Sequence, residues 1–238
     1  MDGQNIRYMQ VLRAVHAALE PKVYLEIGVR TGRSLALARG RAVAIDPDFG
    51  PLKPDLRDDP RISHFEQTSD AFFAGHDRAG VLGEERVDFA FIDGLHHADQ
   101  VIRDFAHVER WSRPGGAIAI HDAAPERLEI ARRAKVKGDQ WAGDVWRIVP
   151  ALREHRPDLR LTLLDAAPTG LLLVSGLNPD ADQMDALATE LAEPFADDGE
   201  EERAFAAFRA AHPVGDAAAF VAALAEAGYS VAARSVAG

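Results

Sequence analysis

The chain has 238 residues, a formal net charge of −11, 47% hydrophobic residues and no cysteine. That length and apolar content suffice for one α/β domain with a small appendage, while the absence of cysteine excludes disulfides, thiolate metal sites and cysteine nucleophiles. The acidic balance, without a Lys/Arg run, argues against nucleic acid, and no apolar run is long enough to span a membrane. The first twenty residues lack the continuous apolar stretch of a signal peptide, so a cytoplasmic location is expected.

Residues 5–19 place Ile6, Met9, Leu12, Val15 and Leu19 at spacings of three and four, which predicts an amphipathic helix ended by Glu20-Pro21. Strands are expected at Val23–Ile27, Ala42–Asp46, Ile62–Glu66, Val87–Asp93, Ala117–His121, Leu159–Leu164 and Leu171–Val174. Helical patterns follow the first, third and fourth of these, at Ser34–Ala38, Asp70–Gly75 and His97–Trp111. The stretch Pro47–Pro60, rich in proline and aspartate, reads as a loop, and Pro150 either kinks or opens a helix within Val145–His155. Short apolar strands alternating with helices imply a Rossmann-like, seven-stranded, mostly parallel α/β sheet covered on both faces. From about residue 177 the chain becomes Ala-rich and helical, with Asp216 and Gly228 expected to cap a last helix. The expected division is a domain over residues 1–176 and a helical extension over 177–238, either packed on the sheet or a subunit or serving as a lid.

The segment Val23–Leu37, "VYLEIGVRTGRSLAL", reads as a buried strand, a glycine turn and a helix start. Gly28 suits the tight turn and Gly32 a close approach of the following helix, with Ser34 beside them. Asp46 ends the second strand, where a carboxylate binds ribose hydroxyls in nucleotide-binding folds. The dinucleotide fingerprint is G-x-G-x-x-G, but Glu26 stands where its first glycine belongs. A carboxylate there repels a pyrophosphate and suits a cation. Acid-x-Gly-x-x-x-Gly after the first strand resembles the class I S-adenosylmethionine (SAM)-dependent methyltransferases. The resemblance implies Glu26, Gly28 and Gly32 on the methionine side of SAM and Asp46 on its ribose.

Two further stretches, Val87–Phe105 ("VDFAFIDGLHHADQVIRDF") and Arg113–Pro125 ("RPGGAIAIHDAAP"), extend the resemblance. Together they look like a bacterial branch of the O-methyltransferases related to catechol-type and sugar- or antibiotic-tailoring enzymes. It covers roughly residues 20–176. Ser69 and Asp70 resemble that family's adenine-contacting segment, although Ser69 is also a suitable helix cap.

Asp93 and Asp122 end the fourth and fifth strands, so both should face the cleft beyond the strand ends. His96, His97 and His121 lie close by in sequence. Methyl transfer to a hydroxyl needs in-line geometry and a deprotonated oxygen, which a histidine base or a divalent ion held by carboxylates provides. Asp93 and Asp122 match two of the three Mg²⁺ ligands of the catechol-type enzymes, but Ala123 stands at the third position and cannot ligate. His96 or His121 in its place would favour a softer ion such as Mn²⁺. The expected catalytic set is Asp93, His96, His121 and Asp122, with Asp93, Asp122 and His96 as metal ligands. Asp93 also suits a cap for the following helix, and His121 a buried strand-end position. Arg103 and Asp104 are expected as a structural ion pair and His97 as a solvent-facing residue. Trp141 and Trp146 either stack on an acceptor or belong to the core, and the charged run Glu126–Gln140 reads as an insertion over the cleft.

The resemblance implies O-methylation of a small hydroxylated or sugar-containing acceptor. A non-catalytic SAM-binding module is the alternative that Ala123 favours, and an NAD-dependent oxidoreductase is argued against by Glu26. A homodimer is compatible with the Ala-rich tail.

Overall fold

The computed structural model describes residues 6–135, 140–181 and 184–235, with side chains to residue 227. Its centre is a seven-stranded sheet of β1 (Val23–Ile27), β2 (Arg41–Asp46), β3 (Ile62–Glu66), β4 (Val87–Ile92), β5 (Ser112–His121), β6 (Arg160–Leu164) and β7 (Leu171–Ser175). The strand order is β3-β2-β1-β4-β5-β7-β6, and only β7 runs antiparallel to its neighbours. The order reverses between β1 and β4, which opens a crevice beyond their carboxyl ends.

The central strands are buried on both faces, so their side chains divide between two cores. Val23, Leu25 and Ile27 of β1 face one side with Ile118 and Ile120 of β5, while Tyr24 of β1 faces the other with Phe89 and Phe91 of β4. On the first face lies α5 (Ala98–Trp111), and on the second α1 (Tyr8–Leu19). All seven expected strands are present. The helix expected over Ser34–Ala38 is only a 3-10 turn, Leu35–Leu37. Turns at Arg30–Thr31 and Arg33–Ser34 occupy the chain between the glycine turn and this 3-10 turn.

Other expectations shift in detail. Pro54–Arg57 in the proline-rich loop forms a single helical turn, α2. Next come α3 (Ser69–Gly75), α4 (Arg78–Leu82) and, after β5, α6 (Leu128–Ala131). Pro150 sits in the first turn of α7 (Ile148–His155), where its missing N–H costs no helical bond. The cap of α5 is not Asp93. Asp144, 1% exposed, accepts from Ala98 N at 2.9 Å across the fold and is itself held by Arg147 at 3.0 Å.

The last three helices are α8 (Met184–Ala192), α9 (Asp198–Ala211) and α10 (Ala217–Ser235). Met184, Leu187 and Leu191 of α8 and Phe205 and Phe208 of α9 join the α5-side core. Phe205 and Phe208 close around Trp146, at 5.3 and 5.2 Å between ring centroids. Trp146 is therefore a core residue. Ala217 of α10 belongs to the opposite core with α1. Asp216 caps α10 through Ala218 N and Ala219 N, but α10 continues past Gly228, which does not end it. Among the described residues the extension packs on the helix layers, and none of it lines the crevice. No described helix is long and apolar enough to cross a membrane.

A buried ion pair joins these layers. Arg156 donates to both Glu109 carboxylate oxygens at 2.7 and 2.8 Å, and Glu109 also accepts from Asn178 N at 2.9 Å, where the extension begins. Their side chains are 4% and 2% exposed. Arg156 also holds Asp158 at 2.8 and 2.9 Å, whereas Glu109 has no other cation among the described residues, so removing Arg156 leaves the Glu109 charge buried without its counter-ion. Arg156→Ala should destabilise the protein by about 3–5 kcal/mol, read as a lower urea midpoint with an unchanged slope.

Candidate active site

The site begins at Gly28, with φ +86°, where a Cβ would stand 2.0 Å from the carbonyl oxygen of Asp93. Only glycine lets the β1 turn lie against the end of β4. Gly28 N donates to Ile45 O at 2.9 Å and Asp93 N to Ile27 O at 2.8 Å, so the ends of β1, β2 and β4 are tied together. Above them opens a cleft of about 760 Å³.

On the β2 side, Asp46 lines the cleft and accepts from Arg30 N at 2.8 Å and Asp48 N at 2.9 Å. Each carboxylate oxygen keeps a lone pair for a ligand hydroxyl. Past β3, Ser69 and Asp70 also line the cleft. Thr68, not Ser69, caps α3, accepting from Ala71 N. Gln100 of α5 donates to Asp70 at 2.9 Å and to Ser69 at 3.3 Å. Beneath it, Asp104 accepts from Gln100 at 3.1 Å, and burial pushes its carboxyl up to about 7 against the hydrogen bonds from Ser69 and Gln100. Arg103 pairs with Asp99 at 3.1 Å and Asp70 at 3.6 Å, so the expected Arg103–Asp104 pair does not form.

Three of the expected residues stand behind the cleft wall. Glu26 is fully buried and accepts from Tyr24 Oη at 2.7 Å and Ser34 Oγ at 2.6 Å. Burial raises its carboxyl to about 8 against those two bonds. Gly32 packs against Leu52 and Leu56 of the proline-rich loop. Glu26 and Ser34 thus brace the turn from below.

The chemistry concentrates at the ends of β4 and β5. His121 Nδ1 lies 3.1 Å from Asp93 Oδ1 and 3.3 Å from Asp122 Oδ1. Burial opposes a charge on His121, but the two carboxylates outweigh it and hold the imidazole up to about 10. Burial likewise opposes the Asp93 charge, and His121 and His96 overcome it, holding its carboxyl below the usual range. His96 Nδ1 is 2.9 Å from Trp141 O and 3.1 Å from Asp122 Oδ2, and its Nε2 is 3.5 Å from Asp93 Oδ1. A carbonyl only accepts, so Nδ1 carries the hydrogen and Nε2 is the site that takes up a proton. Burial lowers the basicity of His96, while Asp93 and Asp122 raise it further. The Trp141 ring stacks on His96 at 5.1 Å between centroids. Gly143, with φ +61°, lets this loop lie on the His96 backbone, where a Cβ would stand 1.7 Å from His96 O. His97 is partly buried rather than fully solvent-facing, with its ring edge-on to Trp141. Part of the charged run Glu126–Gln140, residues 136–139, lies outside the described residues.

Asp122 has φ +62°, a strained conformation for a non-glycine residue, and Thr169 Oγ1 donates to its Oδ1. Ala123 is buried in the core and offers no ligand. Asp93, His96 and Asp122 present one ligand atom each, all within 4.8 Å of one another. Asp122 Oδ2 is buried without a geometrically sound hydrogen bond. This donor set fits a divalent cation.

Tyr8, Arg7, Arg30, Arg33 and Thr169 also line the cleft, and sequence reasoning missed them. Tyr8 comes from the start of α1, its ring 4.2 Å from that of His121. Backbone bonds hold it there, Tyr8 N to Ala167 O at 3.0 Å and Ala167 N to Ile6 O at 2.8 Å. No local signal reveals this pairing of distant segments.

The raised Glu26 carboxyl has a measurable consequence. The folded protein keeps a proton that the unfolded chain releases near 4.5. Glu26 therefore contributes stability that is full below its ordinary value and lost as pH rises toward about 8. Glu26→Gln should lose less stability than wild type between about pH 5 and about pH 8 in urea unfolding, and an equal loss would show ordinary titration.

Residues 25–123, from β1 to the strand end that carries Asp122, match the family model described as a methyltransferase domain. No curated protein matches the chain by sequence. A Klebsiella pneumoniae protein assigned as an O-methyltransferase shares its fold with a TM-score of 0.55 at 20% identity, covering 74% of this chain and 83% of that one. The O-methyltransferase TomG from Streptomyces achromogenes, involved in tomaymycin synthesis and solved with SAM, gives 0.54 at 18% identity, covering 71% and 78%. A methyltransferase from Geobacter sulfurreducens gives 0.51 at 16%, covering 72% and 80%. Residues 25–123 are thus similar to a methyltransferase domain, and the chain shares the fold of solved methyltransferases.

Proposed function

We propose that the protein is a SAM-dependent O-methyltransferase acting on a small hydroxylated acceptor. The observation that carries this reading is the Asp93–His96–His121–Asp122 cluster, standing in the same cleft as the Gly28 turn and Asp46. SAM, when bound, supplies a methyl group on a sulfonium and leaves as S-adenosylhomocysteine. Asp46 would accept from its ribose hydroxyls, and Ser69, Asp70 and Gln100 would frame its adenine end. The carboxylates beyond β4 favour its positive charge.

The acceptor hydroxyl sits beside His96. His96 Nε2 takes its proton, and the neighbouring Asp93 and Asp122 stabilise the imidazolium that forms. The oxygen pair so freed would be the nucleophile for the methyl carbon that bound SAM supplies. His121, held positive between the two aspartates, fixes their spacing. As the alternative to the histidine base, Asp93, His96 and Asp122 would hold a divalent ion such as Mg²⁺ or Mn²⁺, which would lower the pKa of the acceptor hydroxyl while His96 Nε2 served as a ligand.

Calorimetric titration with S-adenosylhomocysteine tests the reading. Binding with Kd about micromolar, weakened at least about tenfold in Asp46→Ala, is expected. Absence of binding, with or without Mg²⁺ or Mn²⁺, would sink it. A separate metal heat that Asp122→Ala abolishes would assign the ion. Once an acceptor is identified, His96→Ala should lower kcat by about 10²–10⁴-fold and remove the lower limb of the pH–rate profile.

A further inference from the structure

We infer that the acceptor is itself an anion, a hydroxyl-bearing carboxylate or phosphate that Arg7 and Arg33 bind beside the histidine–aspartate cluster. The inference rests on the methyltransferase reading and narrows its substrate class.

Three arginines line the cleft, Arg7, Arg30 and Arg33, and all three side chains are exposed to it. Among the described residues none has a carboxylate within 4.0 Å. The carboxylates of the cleft are already committed. Asp46 holds two backbone N–H groups, Asp70 holds Gln100 and Arg103, and Asp93 and Asp122 hold the two histidines. A chain of net charge −11 therefore keeps three guanidinium groups at this cleft with no protein counter-ion among the described residues.

SAM does not supply what they lack. It carries one carboxylate against an ammonium and a sulfonium, so one arginine at most finds its partner there. Position separates the three. Arg30 follows the Gly28 turn, its N–H on Asp46. Arg7 precedes Tyr8, whose ring lies on His121, and Arg33 lines the same cleft as these two rings. Arg7 and Arg33 thus share the cleft with the histidine–aspartate cluster without contacting Asp46. Guanidinium forks match oxyanions in geometry as well as charge.

The test uses matched pairs of probes on the S-adenosylhomocysteine-loaded protein, 3,4-dihydroxybenzoate against catechol and glycerol 3-phosphate against glycerol. In wild type the anionic member of one pair should bind at least about tenfold tighter than its neutral partner, and the pair that shows this tells carboxylate from phosphate. In the Arg7→Gln/Arg33→Gln variant the ratio should fall to about one, with an unchanged melting temperature. A ratio near one for both pairs in wild type, or a ratio that survives the double substitution, would overturn the proposal. So would a variant that loses affinity for S-adenosylhomocysteine but not for 5′-methylthioadenosine, because the arginines would then serve the cofactor's carboxylate. The same pairs titrated on the cofactor-free protein decide the question even where S-adenosylhomocysteine fails to bind, which is a failure of the cofactor reading alone.

Discussion

The turn after β1 lies so close to the end of β4 that no side chain fits at residue 28. This contact fixes the mouth of the crevice. It places the Asp46 carboxylate on one side and the Asp93 carboxylate on the other, with the cleft between. Glu26, Tyr24 and Ser34 brace the turn from behind with two short hydrogen bonds in a buried setting. A glycine turn alone could hold many ligands. Here the turn is supported by a buried carboxyl and faces two acidic strand ends.

The second constraint is electrostatic. Asp93 and Asp122 stand on adjacent strand ends and would repel each other if nothing intervened. His121 lies between them and His96 beside them, so the cluster holds its charges in close balance. The supporting shell comes from far along the chain. Thr169 bonds Asp122, the Trp141 carbonyl orients His96, and Asp144 caps the helix that follows His96. The C-terminal helices act at one remove, packing Phe205 and Phe208 around Trp146 in the loop that follows Trp141.

Much of this was legible before folding. The strands read clearly because their apolar runs are buried on both faces, and β-rich runs bounded by turns carry their own signal. Asp46, Asp93 and Asp122 were found because carboxylates at parallel strand ends face the crevice by geometry. The helix expected after Gly32 is only a 3-10 turn, because two tight turns precede it and apolar pattern does not register them. Ser69 as a cap, Gly228 as a helix end and an Arg103–Asp104 pair failed for a common reason. Each was a local rule overridden by a neighbour, namely Thr68, the continuing α10 and the buried Gln100.

The sequence by itself determined the alternation of strands and helices, the glycine turn and the acidic strand ends, since all of these are set by residues within a few positions of one another. Only the tertiary structure decided what surrounds them. Tyr8 reaches His121 because the start of α1 pairs with Ala167, and Glu26 lies behind the wall because Tyr24 and Ser34 hold it there. Three arginines share the cleft with no protein counter-ion among the described residues because the aspartates around them are bound elsewhere. Pairings between distant segments leave no periodicity and no spacing in the chain, so only packing reveals them.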